Sequence, residues 1–371
     1  MQKSKLQSKI QNWRKVKLGE VLEFKYGFGL PEKERKSGTV PVYGSSGIVG
    51  FHDNPAVNRP GIIVGRKGNV GAVHYSKIPF YPIDTVYFID ETKQNTDLHF
   101  LYYLLSRIPF KQVGSDVGVP GLNRNIAYQL EVNVPEDPAI QKRIAGVLSA
   151  FDEKIEVNNK ISKNLEEMAQ AIFKEWFVDF RLSRYKKTKF VNSELGKIPK
   201  GWEVKKITEI IKRLPVGKKY DNKNALPKGE IPILDQGQSG FIGYHDGEPG
   251  VRASIESPVA VFTNHTCYYR LMTQNFSCIQ NVIPYIGDKG YPTLFVYFLT
   301  KGKIKMQEYK GHWPEFEEQI FTIPPVSFAQ KFSDYIQPII KKMVGVEKEN
   351  QKLAALRDLL LPKLMSGEIK L

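Results

Sequence analysis

The segment Gly65-Arg66-Lys67-Gly68-Asn69-Val70-Gly71 follows the β-like run Ile62-Ile63-Val64, and its residue types suit a polyanion. Glycine lets backbone N–H groups approach a phosphate, while Arg66, Lys67 and Asn69 carry donors that reach phosphate oxygens or the edges of guanine and adenine. A plain β-turn accounts for the glycines equally well. A second polar loop, running from Ser115 to Asn125, adds Asn123 and Arg124, and a third places Ser45 and Ser46 after Tyr43. Later in the chain Gln236, Gln238 and Ser239 stand where Tyr43, Ser45 and Ser46 stood. Asn264, His265, Tyr268 and Arg270 take the place of the glycine loop, and Lys310-Gly311-His312-Trp313-Pro314 that of the second polar loop. With the basic pair Lys218 and Lys219, these positions are the expected contacts to nucleic acid.

Motifs for covalent chemistry do not assemble. Asp53-Asn54-Pro55-Ala56 lacks the second Pro and the aromatic of the amino-methyltransferase motif, and no Gly-rich cofactor loop accompanies it. Gly217-Lys218-Lys219 lacks the earlier Gly and the Ser/Thr of a P-loop. Asp358 with Glu368-Ile369-Lys370 has a nuclease-like spacing but falls at the end of a helical pattern, with no strand to hold the carboxylates together. The six histidines are scattered, and Cys267 and Cys278 are too few for a metal site or a disulfide framework. With 54 Lys and Arg against 39 Asp and Glu, the net charge of +15 favours a polyanionic partner. The chain begins without an apolar leader and has no apolar run long enough for a bilayer, so we expect a cytoplasmic protein without a membrane partner.

The elements that must hold these loops are written twice. Trp13-Arg14-Lys15-Val16-Lys17-Leu18-Gly19-Glu20-Val21-Leu22 returns 189 positions on, beginning at Trp202, and Ser46-Gly47-Ile48-Val49-Gly50-Phe51-His52-Asp53 returns as Ser239-Gly240-Phe241-Ile242-Gly243-Tyr244-His245-Asp246. Each copy contains short β-like runs, such as Thr39 to Tyr43, Gly61 to Val64 and Thr85 to Ile89, and one amphipathic helix, Leu98 to Leu105 or Leu294 to Leu299. Asp137-Pro138 then opens a helix whose residues Ile144, Leu148, Phe151, Ile155, Asn158, Ser162, Leu165, Ala169, Ile172 and Trp176 alternate spacings of four and three, a coiled-coil seam. Its length of about 40 residues corresponds to ~60 Å. The second copy opens with Ser327-Phe328-Ala329-Gln330 in the form of a capping box, and Ile336, Ile339, Met343, Val346, Asn350, Leu353, Leu356 and Leu360 form its apolar face. Pro338 should kink or restart this helix. If the helices pair antiparallel, Asn158 and Asn350 meet near their midpoints and fix the register. Arg181 to Lys200 reads as a basic, solvated connector.

With these features the chain resembles the specificity subunit of type I restriction-modification systems over nearly its whole length. The resemblance is carried by Gly196-Lys197-Ile198-Pro199-Lys200-Gly201-Trp202-Glu203-Val204 leading into the second domain, by Gln141-Lys142-Arg143-Ile144, and by the run from Leu356 to Ile369. It implies an α+β fold: two tandem α/β target-recognition domains separated by two long antiparallel coiled-coil helices, with a pseudo-two-fold internal repeat. The expected domains are residues 1–135, a spacer helix over 136–182, linker and second domain over 183–325, and a second spacer helix over 326–371. Each domain would read one half of a split site in double-stranded DNA, and the helices would set the spacing and dock two modification (methyltransferase) subunits. Restriction (endonuclease) subunits complete the implied complex, and S-adenosylmethionine, ATP and Mg are expected on the partners, none on this chain. The family pattern does not say which loop residues touch bases, so the candidate DNA contacts are chosen for their polar and basic types in the glycine-rich loops: Tyr43, Ser45, Ser46, Arg66, Lys67, Asn69, Asn123, Arg124, Lys218, Lys219, Gln236, Gln238, Asn264, His265, Arg270 and Lys310. The alternative is a non-catalytic scaffold or anti-restriction protein of the same fold.

Overall fold

The computed structural model of the chain describes residues 13–113, 121–182, 185, 188–237 and 240–371. The chain divides into two compact units, Met1–Glu156 with Asn350–Leu371, and Val157–Glu349.

In the first unit the strands in chain order are β1 (Trp13–Lys17), β2 (Lys25–Tyr26), β3 (Val40–Gly44), β4 (Gly47–His52), β5 (Gly61–Gly65), β6 (Val73–Ser76), β7 (Tyr81–Pro82), β8 (Val86–Ile89) and β9 (Glu131–Pro135). The helices are α1 (Leu18–Val21), α2 (Leu98–Ser106) and α3 (Arg124–Tyr128). β1 pairs antiparallel with β9, closing the unit where its long helix begins. The rest form a four-stranded sheet in the order β2-β8-β5-β6 and a three-stranded sheet in the order β4-β3-β7, with β3 and β7 parallel. Every residue of β5 and β8 is buried, because the two faces of these strands meet different cores. Ile62, Val64, Tyr87 and Ile89 face a cluster with Phe100, Leu101 and Leu105 of α2. The alternate residues Ile63, Val86 and Phe88 join Tyr43, Val57 and Phe80.

The second unit repeats this plan strand for strand. After β10 (Phe190–Ser193) and β11 (Gly196–Pro199) come β12 (Glu203–Lys206), β13 (Ile211–Arg213), β14 (Ile231–Leu234), β15 (Phe241–His245), β16 (Val259–Thr263), β17 (Tyr269–Met272), β18 (Ser277–Cys278), β19 (Val282–Gly287) and β20 (Ile320–Ile323). β12 pairs with β20, and the sheets run β13-β19-β16-β17 and β15-β14-β18, the same orders as before. A register shift even recurs at one place, between Val42 and Tyr43 and between Ile233 and Leu234. The alternation is also kept: Ala260 and Phe262 face one core, Val259 and Val261 the other.

Two 40-residue helices, α4 (Pro138–Phe177) and α7 (Val326–Met365), contribute to both units. In chain order between them lie α5 (Thr293–Thr300) and α6 (Trp313–Glu317). Asp137 starts α4 as expected, its Oδ1 accepting from the Ala139 N–H at 2.8 Å. Within each unit the two helices run antiparallel. In the first, Ile144 and Leu148 share a core with Leu364 and Met365, and Arg357 donates to Asp152 at 2.5 Å. In the second, Trp176 stacks on Phe328 with centroids 5.5 Å apart, and Phe173 and Phe177 pack on Phe332.

Several local expectations need correction. α7 begins at Val326 on the Pro325 carbonyl, so Ser327 lies inside its first turn, and Gln330 bonds to Asp334 instead of closing a capping box. The helix is continuous through Pro338, whose ring lies on an exposed face where the lost hydrogen bond can be replaced by water. Leu356 is exposed, and Arg357 holds the inward position, because the 3-4 spacing continues from Leu353 through Arg357 to Leu360 and Leu364. Asn158 is buried, as a seam residue should be, and its Nδ2 donates to Glu349 at 2.9 Å. The connector is more than a solvated linker: β10 and β11 form a hairpin, and Tyr185 and Ile198 enter the second core. Arg184, Lys186 and Lys187 lie outside the described residues. Among the described residues no helix is long and apolar enough to cross a membrane.

Candidate nucleic-acid interface

In the first unit the loops singled out by sequence converge. Gly68 and Gly71 adopt φ of +72° and +77°, where a side chain would be strained, and a Cβ at Gly65 would lie 2.2 Å from the Asn69 carbonyl oxygen. The glycines therefore build a tight loop. Its backbone N–H groups are mostly spent inside the fold: those of Arg66 and Lys67 donate to Thr85 O, that of Gly65 to Ala72 O, and that of Gly71 to Gly65 O. The expected backbone cradle for phosphate is thus replaced by a rigid stem that projects side chains. The Ser45 hydroxyl, at the β3–β4 turn, accepts from Asn69 N at 3.4 Å, and Ser46 beside it is exposed.

On the other side the loop before α3 docks on the glycine loop through Leu122 N to Arg66 O at 3.0 Å and a bridge between Lys67 and Gly121. Asn123 caps α3, its side-chain oxygen accepting from Asn125 N at 2.9 Å and Ile126 N at 3.3 Å. Arg124 and Arg66 both lie over the ring of Tyr26, at 5.0 and 5.3 Å from its centroid. Each guanidinium is also tied to a carbonyl: Arg66 donates to Asp84 O at 2.8 Å and Arg124 to Phe24 O at 3.4 Å. The result is a cleft of about 280 Å³ lined by Tyr26, Tyr87 and residues of the two loops, with three cations and, among the described residues, no carboxylate. The Tyr87 hydroxyl donates to Leu122 O, and burial together with the neighbouring Tyr26 hydroxyl pushes its pKa up to about 12, so this wall stays neutral.

Tyr43 does not belong to this surface. It sits on the inward face of β3, buried against Phe80 at 5.8 Å. Sequence reasoning missed Tyr26 and Tyr87. For Tyr26 the alternation Tyr26-Gly27-Phe28-Gly29 was the available sign, since aromatics between glycines at a strand end have little to bury against, and Tyr26 and Phe28 are exposed; Tyr87 is buried and left no such sign.

The second unit uses the same frame differently. Asn264 follows β16 as Arg66 follows β5, but its side-chain acceptor and both backbone groups are consumed by the fold. Its Oδ1 accepts from Trp313 N, its carbonyl from His312 N, and its own N–H donates to Asn281 O. Trp313 opens α6 as Arg124 opens α3, and its indole is buried against Phe316 with Arg213 5.7 Å from its ring. Gln236 accepts from His265 N at 3.1 Å, Arg270 donates to Gly237 O, and His265 Nδ1 bonds to Lys310 O at 2.9 Å. The His265 ring stacks on Tyr309, which is 79% exposed. Lys310 pairs with Glu308 and Glu315, which hold its ammonium well above the usual lysine range. Gln236, His265, Arg270 and Lys310 thus come together, with Tyr309 as the residue missed. Lys218 lies over Tyr220, and Lys219 bridges to Cys278, apart from those contacts. Gln238 and Ser239 lie outside the described residues. Among the described residues no group of three or more His, Cys, Asp or Glu could hold a metal ion.

Comparison with known proteins bears on this geometry. The family model described as type I restriction modification DNA specificity domain matches residues 10–167. The MjaIX specificity subunit of Methanocaldococcus jannaschii, a type I restriction enzyme component, is 30% identical over 305 residues, covering 73% of this chain and 69% of the relative. The HindI specificity subunit of Haemophilus influenzae is 23% identical over 375 residues, 78% and 81% of the two chains. In fold, the type I restriction-modification S subunit from M. genitalium matches with a TM-score of 0.56 at 16% identity, over 95% of this chain and 96% of that one. The duplicated domain-and-helix plan and the extent of the identity to the M. jannaschii protein lead to one conclusion: this chain belongs to the family of type I restriction-modification specificity subunits.

Proposed function

We propose that the chain is the non-catalytic DNA-reading component of a type I complex, each unit reading one half of a bipartite duplex target. The observation that supports this best is one fold built twice with different residues on its loops, Arg66 and Arg124 over Tyr26 in the first unit and Gln236, Arg270 and the His265–Tyr309 stack in the second. Two readers of one design need different side chains to select different bases, and a net charge of +15 supplies the sequence-independent attraction to phosphate. Two modification subunits, carrying S-adenosylmethionine, would dock partly on α4 and α7, and restriction subunits using ATP and Mg would do the cutting.

The test is a methylome of a host expressing the chain with its modification subunit, paired with binding of the purified complex at fixed salt. A bipartite methylated motif and preference over scrambled duplex are expected; equal binding to both would favour the scaffold alternative. The helices are proposed to set the distance between half-sites. Inserting one heptad in each, near Asn158 and near Asn350, adds ~10 Å of helix. The gap should then grow by about three base pairs at ~3.4 Å per pair, with the half-sites unchanged. A variant that kept the parental gap would remove the helices from that role.

A further inference from the structure

We infer that the first unit reads a guanine through the paired arginines of its cleft, Arg66 and Arg124, with Tyr26 as the plate that sets their planes. This rests on the proposed DNA-reading function and adds the base and the residues.

A base contact and a phosphate contact make different geometric demands on a cation. A phosphate accepts donors from many directions, so a cation that only neutralises it can stay mobile. A base edge presents acceptors at fixed positions in one plane, and guanine offers O6 and N7 side by side in the major groove, the pattern a guanidinium matches with two parallel N–H bonds. Such a contact needs a guanidinium whose plane is set beforehand. Both arginines meet that condition. Arg124 lies 5.0 Å from the Tyr26 centroid with Nη1 directed to Phe24 O, which leaves its Nε and Nη2 edge for a ligand. Arg66 is held over both Tyr26 and Tyr87 with Nη2 on Asp84 O.

Charge and size agree with a base edge. Two guanidinium groups and Lys67 share one cleft with, among the described residues, no lining carboxylate, an arrangement that an electron-rich partner would relieve. At about 280 Å³ the cleft lies at the lower limit of pockets that enclose a small molecule, roughly 300–1,000 Å³, so it suits an inserted edge better than a whole extruded nucleotide. The second unit lacks this device. Trp313 occupies the place of Arg124, and the exposed His265–Tyr309 stack lies nearby instead.

The experiment uses the complete complex with its modification subunits and duplexes carrying the methylome-defined target. Guanines of each half-site are replaced singly by 7-deazaguanine, which lacks the N7 acceptor. With the parent chain, one guanine in one half-site should lose roughly tenfold to a hundredfold in affinity on replacement. Arg124→Ala should weaken the parental duplex by a similar factor and make that same replacement nearly silent. Tyr26→Leu should weaken binding in the same guanine-dependent way. Unchanged discrimination at the other half-site shows that each variant is folded and still reads DNA. The inference is overturned if the complex prefers its target over scrambled duplex but no replacement couples to Arg124 or Arg66. It is also overturned if Arg124→Ala weakens all duplexes alike, the mark of a phosphate contact. Loss of any preference for target over scrambled duplex by the parent complex would instead sink the underlying function.

Discussion

Arg124 and Trp313 occupy the same place in two copies of one fold, the first residue of a short helix that follows a docking loop, yet one opens a cleft and the other fills it. The difference propagates into the neighbouring strand. Phe24, before β2, is fully buried in the first unit, stacked on Tyr128 at 5.7 Å, whereas the matching Arg213 of the second unit is exposed and covers Trp313. The aromatic ring needed to seal this corner of the core comes from the strand side in one copy and from the helix in the other. A duplicated frame can therefore exchange lining for filling while every strand keeps its partner. That freedom is what two readers of different sequences require.

Exchange of one domain should have the largest effect. Replacing residues 13–135 with the equivalent domain of a relative should abolish preference for one half-site, a loss of about a thousandfold or more, and leave the other half-site intact in a methylome. A change in both half-sites would show that the units do not read independently.

Stability separates the two corners next. Phe24→Ala removes a fully buried ring and should cost about 3–5 kcal/mol in denaturant unfolding, while Arg213→Ala, which loses an exposed cation–π contact, should cost about 1 kcal/mol or less. Similar costs for both would mean that the corners are sealed alike.

A smaller effect is expected where each unit fastens its own stretch of the helices. In the first, the buried Tyr103 hydroxyl donates to Asp152 at 2.6 Å and Arg357 to the same carboxylate; in the second, Lys301 pairs with Glu166. Asp152→Ala should destabilise the chain by about 1.5–3 kcal/mol, since it strands a buried phenol and a cation. Glu166→Ala should cost less, because its carboxylate is more exposed, and calorimetry of the two variants would rank them.

The smallest effect is on pH. His99 is stacked between Tyr75 and Tyr103, and burial, aided by the positive charge of Lys77, lowers its pKa from the usual 6.5 despite the attraction of Asp97, Glu153 and Asp152. Burial likewise lowers that of His245 in the second unit. Because the unfolded chain binds the proton more tightly, stability is full above about pH 6.5 and declines as pH falls from there to the folded pKa. A melting temperature lower by a few degrees at pH 5.5 than at pH 7.5 is expected. His99→Phe should flatten the slope only in part, His245 supplying the remainder, and a slope unaffected by the substitution would place the titration elsewhere.

Periodicity and local stereochemistry made much of this protein readable from residues alone. The repeat from Trp13 and again from Trp202, the alternating strands Ile62-Ile63-Val64, and the seam from Ile144 to Trp176 all report contacts that recur at fixed spacing, and Asp137 caps its helix through neighbours in sequence. Convergence of Ser45, Arg66, Lys67 and Arg124 on one face followed from glycines that only tight loops require. What sequence could not assign was how each polar group would be spent. Asn264 and Arg66 have equally suitable donors, but the N–H of Trp313 claims the carboxamide of one, while Tyr26 and Asp84 O orient the guanidinium of the other. Tyr43 looked available, but Phe80, from the segment leading into β7, covers it. The helical spacing turns Arg357 inward in place of Leu356, and Asp152, on the other helix, supplies the charge that pairs with it there. Each of these outcomes depends on a partner far away in the chain, and only the tertiary structure decides which hydrogen bonds and ion pairs are satisfied internally and which remain for DNA.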